Sequence, residues 1–347
     1  MANTKIRELI RRTRLASNVM RHGRIVDAPR AEIPALTPDE TAEARQFFPL
    51  EKFFVFGHAR SGTTLLARLI RLHPDVHCNW QAHFFSRSPL LESLVSSPEA
   101  AAWLSHRSNR WNRGRDLSPV ALRAVSDFIL ERDARRAGAS VVGDKSPNSL
   151  MNGDAVRLMH KVYPDGKLIF IVRDGRDAAL SHRFQLFIDR PEYLSKEDLA
   201  IRAAFEADPQ QFLGGKRSIF TEQGIREAAK GWESNIRETH ALGREYFGSN
   251  YLSLRYEDLL ADPRQTMGRL WQFLGVDTNL PGLRSSLVDE LSSNPDKDWQ
   301  QEQAANLVNP LQKGKSGSWQ ELFTKRDHKV FLENTGDLLD RWGYNEG

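Results

Sequence analysis

The chain has 347 residues, of which 40% are hydrophobic and 27% charged, and this composition is typical of a globular protein with a substantial core. It excludes general disorder, and the longest apolar runs fall far short of the roughly 20 residues of a membrane-spanning helix. The single cysteine, Cys78, excludes an intrachain disulfide and favours a reducing, cytoplasmic compartment.

The net charge of +4 is concentrated in the first part of the chain. Residues 1–30 hold eight lysines and arginines against two acidic residues, so the remainder is slightly acidic and does not have the composition of a nucleic-acid-binding protein. The segment lacks the apolar stretch of a secretory signal. Ile6, Leu9 and Ile10 can share one face of a basic amphipathic helix, which could pack on the body or contact an anionic membrane surface.

Residues 26–50 contain four prolines and predict an extended connector, so residues 1–50 are expected to lie outside the main domain. Within residues 51–347, short apolar runs alternate with segments of helical periodicity. Strands are predicted at 52–57, 140–143, 167–172 and 251–254. Helices are predicted at 63–72, 118–138, 149–162, 176–187, 226–246, 264–274 and 327–341. The stretches 76–116 and 188–225 are predicted to be irregular, the second as a cover or acceptor segment.

The alternation predicts an α/β fold: a single enlarged domain with a central parallel sheet and helices on both faces. The loop after the first strand makes this sheet P-loop-like, because Gly57, Gly62 and Thr64 have the spacing of the nucleotide-phosphate loop GxxxxGK[S/T]. Such glycines allow backbone N–H groups and a helix N-terminus to face an anion. Thr63 replaces the ATPase lysine, which argues against triphosphate hydrolysis but not against anion binding.

With Arg60 inside it, the loop resembles the 5′-phosphosulfate loop of sulfotransferases that use 3′-phosphoadenosine 5′-phosphosulfate (PAPS). The resemblance implies that Arg60 and the residues after it bind the 5′ end of PAPS. These following residues are Ser61, Gly62, Thr63, Thr64 and Leu65.

Three further motifs extend the resemblance to about residues 52–325. Arg173 at a strand end and Ser181 eight residues later resemble the 3′-phosphate motif, since a guanidinium and a hydroxyl two helical turns on can converge on one phosphate. Tyr256 resembles the tyrosine that meets the adenine. Lys313 and Gly314 begin a segment similar to the KGxxGxW…FT signature, whose loop folds over the 3′-phosphate.

The resemblance implies metal-free, in-line transfer of a sulfuryl group from PAPS to a hydroxyl or amine, leaving adenosine 3′,5′-bisphosphate (PAP). Positioning and electrostatics are expected to dominate catalysis. Arg60 is expected to stabilise the leaving 5′-phosphate. Lys145, after the second predicted strand, resembles the family lysine near the bridging oxygen.

The general base is predicted at a position where this sequence departs from the family pattern. Gln81 stands where many relatives have a glutamate, and a neutral amide cannot take up a proton. His83 can, so it is predicted as the base, with His58 and Asp144 as alternatives.

Two other functions stay open at this point. A P-loop nucleotide kinase or NTPase would bind Mg²⁺ through Asp174, and a non-catalytic protein would hold PAP or PAPS without turnover. The acceptor can be a small molecule, glycan, lipid or peptide, with a pocket expected from residues 79–116 and 188–225. The sequence does not specify the oligomeric state.

Overall fold

The computed structural model describes residues 32–106, 110–293 and 316–344, together with residues 10, 12–14, 16, 17 and 19–21. Its centre is a parallel sheet of five strands. The strands are β1 Glu51–Gly57, β2 Val76–Trp80, β3 Val141–Lys145, β4 Lys167–Val172 and β5 Tyr251–Arg255. They are arranged in the order β2-β3-β1-β4-β5.

The main helices connect and flank these strands. They are α1 Pro38–Phe47, α2 Thr63–Ile70, α3 Pro98–Ser105, α4 Ser118–Arg136, α5 Gly153–Val162, α6 Gly175–Asp189, α7 Lys196–Ala207, α8 Glu222–Phe247, α9 Tyr256–Ala261, α10 Pro263–Leu274, α11 Leu283–Ser292, α12 Trp319–Leu322, α13 Lys325–Thr335 and α14 Leu338–Arg341. None of the helices within the described ranges combines the length and apolarity needed to cross a membrane.

The central strand β1 buries both of its faces, because side chains alternate along a strand. Phe54 and Phe56 join the core formed with α4, α5 and α8. Phe53 and Val55 join a second core, formed with α2, α10 and α11 on the other face. Helices therefore cover the sheet on both sides, and the predicted α/β architecture is confirmed.

The predicted binding residues lie at one edge of the sheet. Arg60 follows β1, Lys145 ends β3, Arg173 follows β4 and Tyr256 follows β5. The carboxyl ends of parallel strands meet at a common edge, which is where ligands bind in open α/β sheets. The order β2-β3-β1-β4-β5 places the loop after β1 at the middle of that edge.

The predicted connector at 26–50 contains a helix, which corrects the expectation of an extended segment. In α1, Thr37 and Glu40 form a capping box, and Pro38 occupies the first helical turn, where a missing N–H costs nothing. Pro38 thus begins a helix rather than continuing an extended segment. The predicted basic N-terminal helix lies largely outside the described residues, and those that are described there are helical.

The two stretches predicted to be irregular also contain regular elements. Residues 76–116 include the edge strand β2, in which buried and partly buried positions alternate over the first four residues and no continuous apolar run occurs. They also include α3. Residues 188–225 include α7, which Ser195 and Asp198 begin with a capping box. The predicted helix 327–341 is divided into α13 and α14 at Gly336, where φ is 56°.

Candidate functional site

The loop between β1 and α2 leaves the first amides of the helix without intrahelical partners. Arg60 and Gly62 both have left-handed backbone, with φ of 68° and 86°. The first intrahelical bond of α2 runs from the N–H of Leu66 to the carbonyl of Gly62, at 3.0 Å. The amides of residues 63–65 precede that bond and keep their donors for a ligand. An anion is favoured there by the helix dipole as well.

A buried hydroxyl in this loop lacks a partner. Ser61 is fully buried, and its Oγ makes no hydrogen bond to any described residue. Leaving a buried polar group unpaired costs roughly 1–3 kcal/mol, and a ligand that hydrogen-bonds to this hydroxyl would remove that cost. Thr63 is also buried, whereas Leu65 is half-buried against the second core, so its amide rather than its side chain faces the loop.

Tyr256 packs directly on the loop. A Cβ added to Gly62 would lie 2.3 Å from Cδ2 of Tyr256, so the close approach requires glycine at this position. The guanidinium of Arg173 covers the same ring, 4.8 Å from its centroid. Burial raises the pKa of Tyr256 and keeps the phenol neutral. The ring is thus fixed between the loop and Arg173.

The two predicted phosphate motifs meet in the structure. Nε of Arg60 donates to Oγ of Ser181 at 3.1 Å. Nη1 of Arg173 donates to the carbonyl of Arg60 at 3.2 Å. Two guanidinium groups, a hydroxyl and the loop amides therefore form one group of donors, the candidate anion-binding cluster, although Arg60 and Ser181 are 121 residues apart in the chain.

Lys145 brings a buried ammonium to the same edge. Its Nζ lies 3.3 Å from Oγ1 of Thr64 and 5.1 Å from the centroid of the Trp80 ring. Trp80 and Lys145 are paired in register on the adjacent strands β2 and β3, so their side chains share a face. Burial lowers the pKa of Lys145, and the Asp144 carboxylate opposes that shift. Sequence reasoning missed Trp80 because β2 itself was not predicted.

His83 lies on a tight turn after β2. Its backbone has φ of 52°, and its N–H donates to Oγ of Ser146 at 3.0 Å. Nδ1 is 2.8 Å from Oγ of Ser86, whereas Nε2 meets no hydrogen-bonding group in the described ranges. Burial, reinforced by Arg87 and Lys145, lowers the pKa of His83. The imidazole is therefore neutral at pH 7 and can accept a proton.

The other candidates for the base have different surroundings. The buried Asp144 carboxylate accepts hydrogen bonds from the N–H of Ala82 at 2.9 Å and from Oγ of Ser146 at 2.5 Å. Both of its oxygens thus hold the turn that carries His83. Burial lowers the pKa of His58 to about 4, so this imidazole is neutral too. Gln81 is exposed and supplies only its N–H to the carbonyl of Lys145, at 2.8 Å.

The carboxylate that an NTPase would need for Mg²⁺ is already paired. Asp174 is buried and accepts hydrogen bonds from Nε and Nη2 of Arg176, at 3.0 and 2.8 Å. It also caps α6 through the N–H of Arg176. Across the described residues, no cluster of three or more His, Cys, Asp or Glu side chains has the arrangement to hold a metal ion.

The C-terminal motif is described in part. Lys313 and Gly314 lie outside the described residues, but the segment from residue 316 onwards is present. The carboxylate of Asp177 accepts hydrogen bonds from the N–H groups of Gly317 and Trp319, at 2.7 and 3.0 Å. Sequence reasoning missed Asp177. The sequence feature that could have identified it is its position in the first turn of α6, four residues before Ser181.

Comparison with known proteins places these motifs in a family. Residues 52–279, about two thirds of the chain, match the model of the Sulfotransferase family. The chain is similar to protein-tyrosine sulfotransferase from Drosophila melanogaster, at 26% identity over 65% of this chain and 38% of the fly protein. It is also similar to heparan sulfate glucosamine 3-O-sulfotransferase 6 from Mus musculus, at 26% identity over 71% of this chain and 58% of the mouse protein.

Among solved structures, the mouse sulfotransferase SULT7A1 complexed with PAP matches at 19% identity, with a TM-score of 0.45 over 88% of this chain and 94% of that one. The chain spans about 38 to 58% of the length of the two curated relatives. The family match includes Arg60, Lys145, Arg173, Ser181 and Tyr256 and ends before the C-terminal motif. From the extent of that match, the chain belongs to the sulfotransferase family.

Proposed function

We propose that the protein transfers a sulfuryl group from PAPS to a hydroxyl or amine of its acceptor. The observation that carries this proposal is the contact between Arg60 and Ser181, which joins the loop after β1 to the helix after β4. PAPS has two separate anionic ends, and this cluster offers donors for both. Family membership supports the same reaction class.

Each anionic end has its own set of donors. We assign the 5′ end to Arg60, the orphaned Oγ of Ser61 and the amides of residues 63–65. We assign the 3′-phosphate to Arg173 and Ser181 and the adenine to the ring of Tyr256. The donor set is cationic, hydroxylic and amidic, which suits phosphate and sulfate oxygens without a metal.

Lys145 and His83 are assigned to the chemistry. When bound, PAPS supplies the sulfuryl group together with its leaving phosphate. The Lys145 ammonium, oriented by Thr64 and Trp80, stabilises negative charge that develops beside the loop. His83, neutral because burial lowers its pKa, removes the proton of the acceptor at Nε2.

Calorimetry with PAP tests the binding half of this proposal. We expect PAP to bind equally well with EDTA and with Mg²⁺, and Arg173→Ala to weaken it at least tenfold. Arg264→Ala, an exposed arginine on α10, is the matched control and should leave PAP binding unchanged. Tight binding of ATP with Mg²⁺ and no binding of PAP would support the NTPase alternative instead.

Label transfer tests the catalytic half. Labelled PAPS is incubated with tyrosine peptides, heparan-type glycans, phenols and lipids, because the named relatives include protein-tyrosine and heparan sulfate enzymes. Label on one acceptor class identifies the substrate. Binding of PAP without transfer to any class or to water would identify a non-catalytic binding protein. We further propose a cytoplasmic location, which the lone buried Cys78 supports.

A further inference from the structure

Asp177 connects α6 to a distant part of the chain. Its side chain is buried, with 1% exposed. Oδ2 accepts the N–H of Gly317 at 2.7 Å, and Oδ1 accepts the N–H of Trp319 at 3.0 Å. Two oxygens of one rigid carboxylate thus bind two amides of one short segment, residues 317–319. Such a bidentate arrangement fixes the orientation of the segment as well as its position.

A second contact from α6 holds the same segment. The Arg176 guanidinium lies 3.9 Å from the centroid of the Trp319 ring. The imidazole of His328 stacks on this ring, with centroids 5.1 Å apart and an interplanar angle of 17°. Arg176 is itself held by Asp174. The segment is therefore attached to the first turn of α6 by both its backbone and its aromatic side chain.

This attachment lies next to the anion-binding cluster. Asp177 and Ser181 are four residues apart on α6, so they lie on the same face, one helical turn apart. Ser181 is the residue that contacts Arg60. Burial raises the pKa of Asp177 while the nearby Arg173 guanidinium opposes the shift, which again puts the carboxylate beside the cluster. Segment 317–319 consequently borders the donors assigned to the 3′-phosphate.

We propose that Asp177 is a positioning residue that makes segment 317–319 a wall of the 3′-phosphate site. The proposal rests on the function proposed above, because it assumes that Arg173 and Ser181 bind this phosphate. Asp177 does not touch the ligand. It sets the affinity for the 3′-phosphate by fixing the backbone that borders it. A ligand without that phosphate should be insensitive to Asp177.

The test compares PAP with AMP, which lacks the 3′-phosphate. Calorimetry on the full chain should show PAP binding to Asp177→Asn weakened at least tenfold, equal to about 1.4 kcal/mol. AMP binding should change less than twofold, so the preference for PAP over AMP falls. Asp177→Glu keeps the charge but displaces the oxygens and should give the same loss. Unchanged or tighter PAP binding by Asp177→Asn would overturn the proposal.

The matched control is Asp327→Asn. Asp327 is a buried carboxylate in the same C-terminal region, where it caps α13 by accepting the N–H of Thr324 at 3.0 Å. Its replacement should lower the melting temperature without changing the preference for PAP over AMP. An equal loss of that preference in both variants would mean that general loosening of the region, not Asp177, is responsible.

Hydrogen exchange gives a readout without ligand. Amides of residues 316–323 should exchange faster in Asp177→Asn and at the native rate in Asp327→Asn; native exchange in both would overturn the proposal.

If Asp177→Asn does not fold, Trp319→Leu removes the second contact and should show the same loss of preference for PAP. Failure of the unmodified protein to bind PAP would refute the proposed function, whereas native PAP binding by Asp177→Asn refutes only the role of Asp177.

Discussion

The side chain of Lys145 is buried at the end of β3. Desolvation lowers its pKa, whereas the Asp144 carboxylate favours the ammonium form. Nζ also lies beside Oγ1 of Thr64 and the Trp80 ring. The Arg71 guanidinium lies 5.5 Å from the centroid of the same indole ring. Two cations, Lys145 and Arg71, thus lie close to one indole ring. We therefore expect the Lys145 ammonium to stabilise negative charge on a bound ligand.

We expect Lys145→Ala and Arg60→Ala each to lower kcat by about 10²–10³, equal to about 2.7–4 kcal/mol, because each removes one charge-stabilising donor. The rate of sulfuryl transfer from labelled PAPS measures this loss. Lys329→Ala, at an exposed position of α13, serves as the control and should transfer at the native rate. Near-native turnover of either site variant would remove that residue from the catalytic assignment.

The pH dependence of the rate of sulfuryl transfer should report the protonation of His83. Its pKa lies below the ordinary value of 6.5 because burial and two neighbouring cations disfavour the imidazolium. A base acts in its neutral form, so the rate should fall on the acidic side at a lower pH than it would for a histidine with an ordinary pKa. His83→Ala should lose most of its turnover and this acidic limb. A variant with native rate and native profile would exclude His83 as the base.

At the scale of elements, backbone geometry at the start of α2 decides how the site is assembled. Gly62 combines left-handed backbone with contact to the Tyr256 ring, so α9 can approach the loop. Any side chain there would both strain the backbone and displace the ring.

Gly62→Ala is therefore expected to destabilise the fold by about 1–3 kcal/mol and to weaken PAP binding at least tenfold. Gly231→Ala is the matched control, since a Cβ at this position of α8 meets no atom within 4 Å. It should leave PAP binding intact and stabilise the fold by about 0.5–1 kcal/mol. Urea unfolding and calorimetry measure the two effects, and equal PAP affinity in both variants would contradict the argument.

The elements that the sequence predicts best are those with a continuous apolar run. β1 and β4 are buried on both faces, so their runs are unbroken and both strands were predicted. The edge strand β2 is less fully buried, and polar residues interrupt its apolar positions. It therefore has no continuous apolar run and was not predicted. α1 and α7 were missed because their start signals are capping boxes in polar segments without a long apolar stripe.

The residues of the candidate site also divide into those that the sequence predicts and those that it does not. Arg60, Arg173 and Ser181 could be proposed from the sequence, because they lie in short motifs that follow a predicted strand and resemble those of the sulfotransferase family. Trp80 and Asp177 could not, since their contacts depend on β2 lying beside β3 and on segment 317–319 returning to α6. Short sequence motifs thus predict the candidate donors, whereas the residues that orient these donors are found only from the tertiary contacts.

At the scale of the molecule, the candidate site joins parts of the chain that are distant in sequence. Its donors come from the loops after β1 and β4 and from the end of β3, with α9 and segment 317–319 beside them. A ligand that contacts all of them opposes separation of any one. Binding should therefore stabilise the whole domain rather than one loop.

We expect PAP at 100 times its dissociation constant to raise the free energy of unfolding by about 2.7 kcal/mol. The melting temperature should rise by several degrees, and equally in EDTA and in Mg²⁺. Thermal unfolding followed by circular dichroism measures this shift, with adenosine as the control ligand. A shift that requires Mg²⁺ would contradict metal-free binding.

Arg60, Lys145, Arg173 and Tyr256 lie at the carboxyl ends of the strands, and the one native thiol, Cys78, is buried. A cysteine introduced at the exposed Ser249, just before β5 begins at the opposite rim, would be the one accessible thiol. Coupling through that atom would tether every molecule to a sensor chip in a single orientation, with the proposed PAP site facing the flowing buffer.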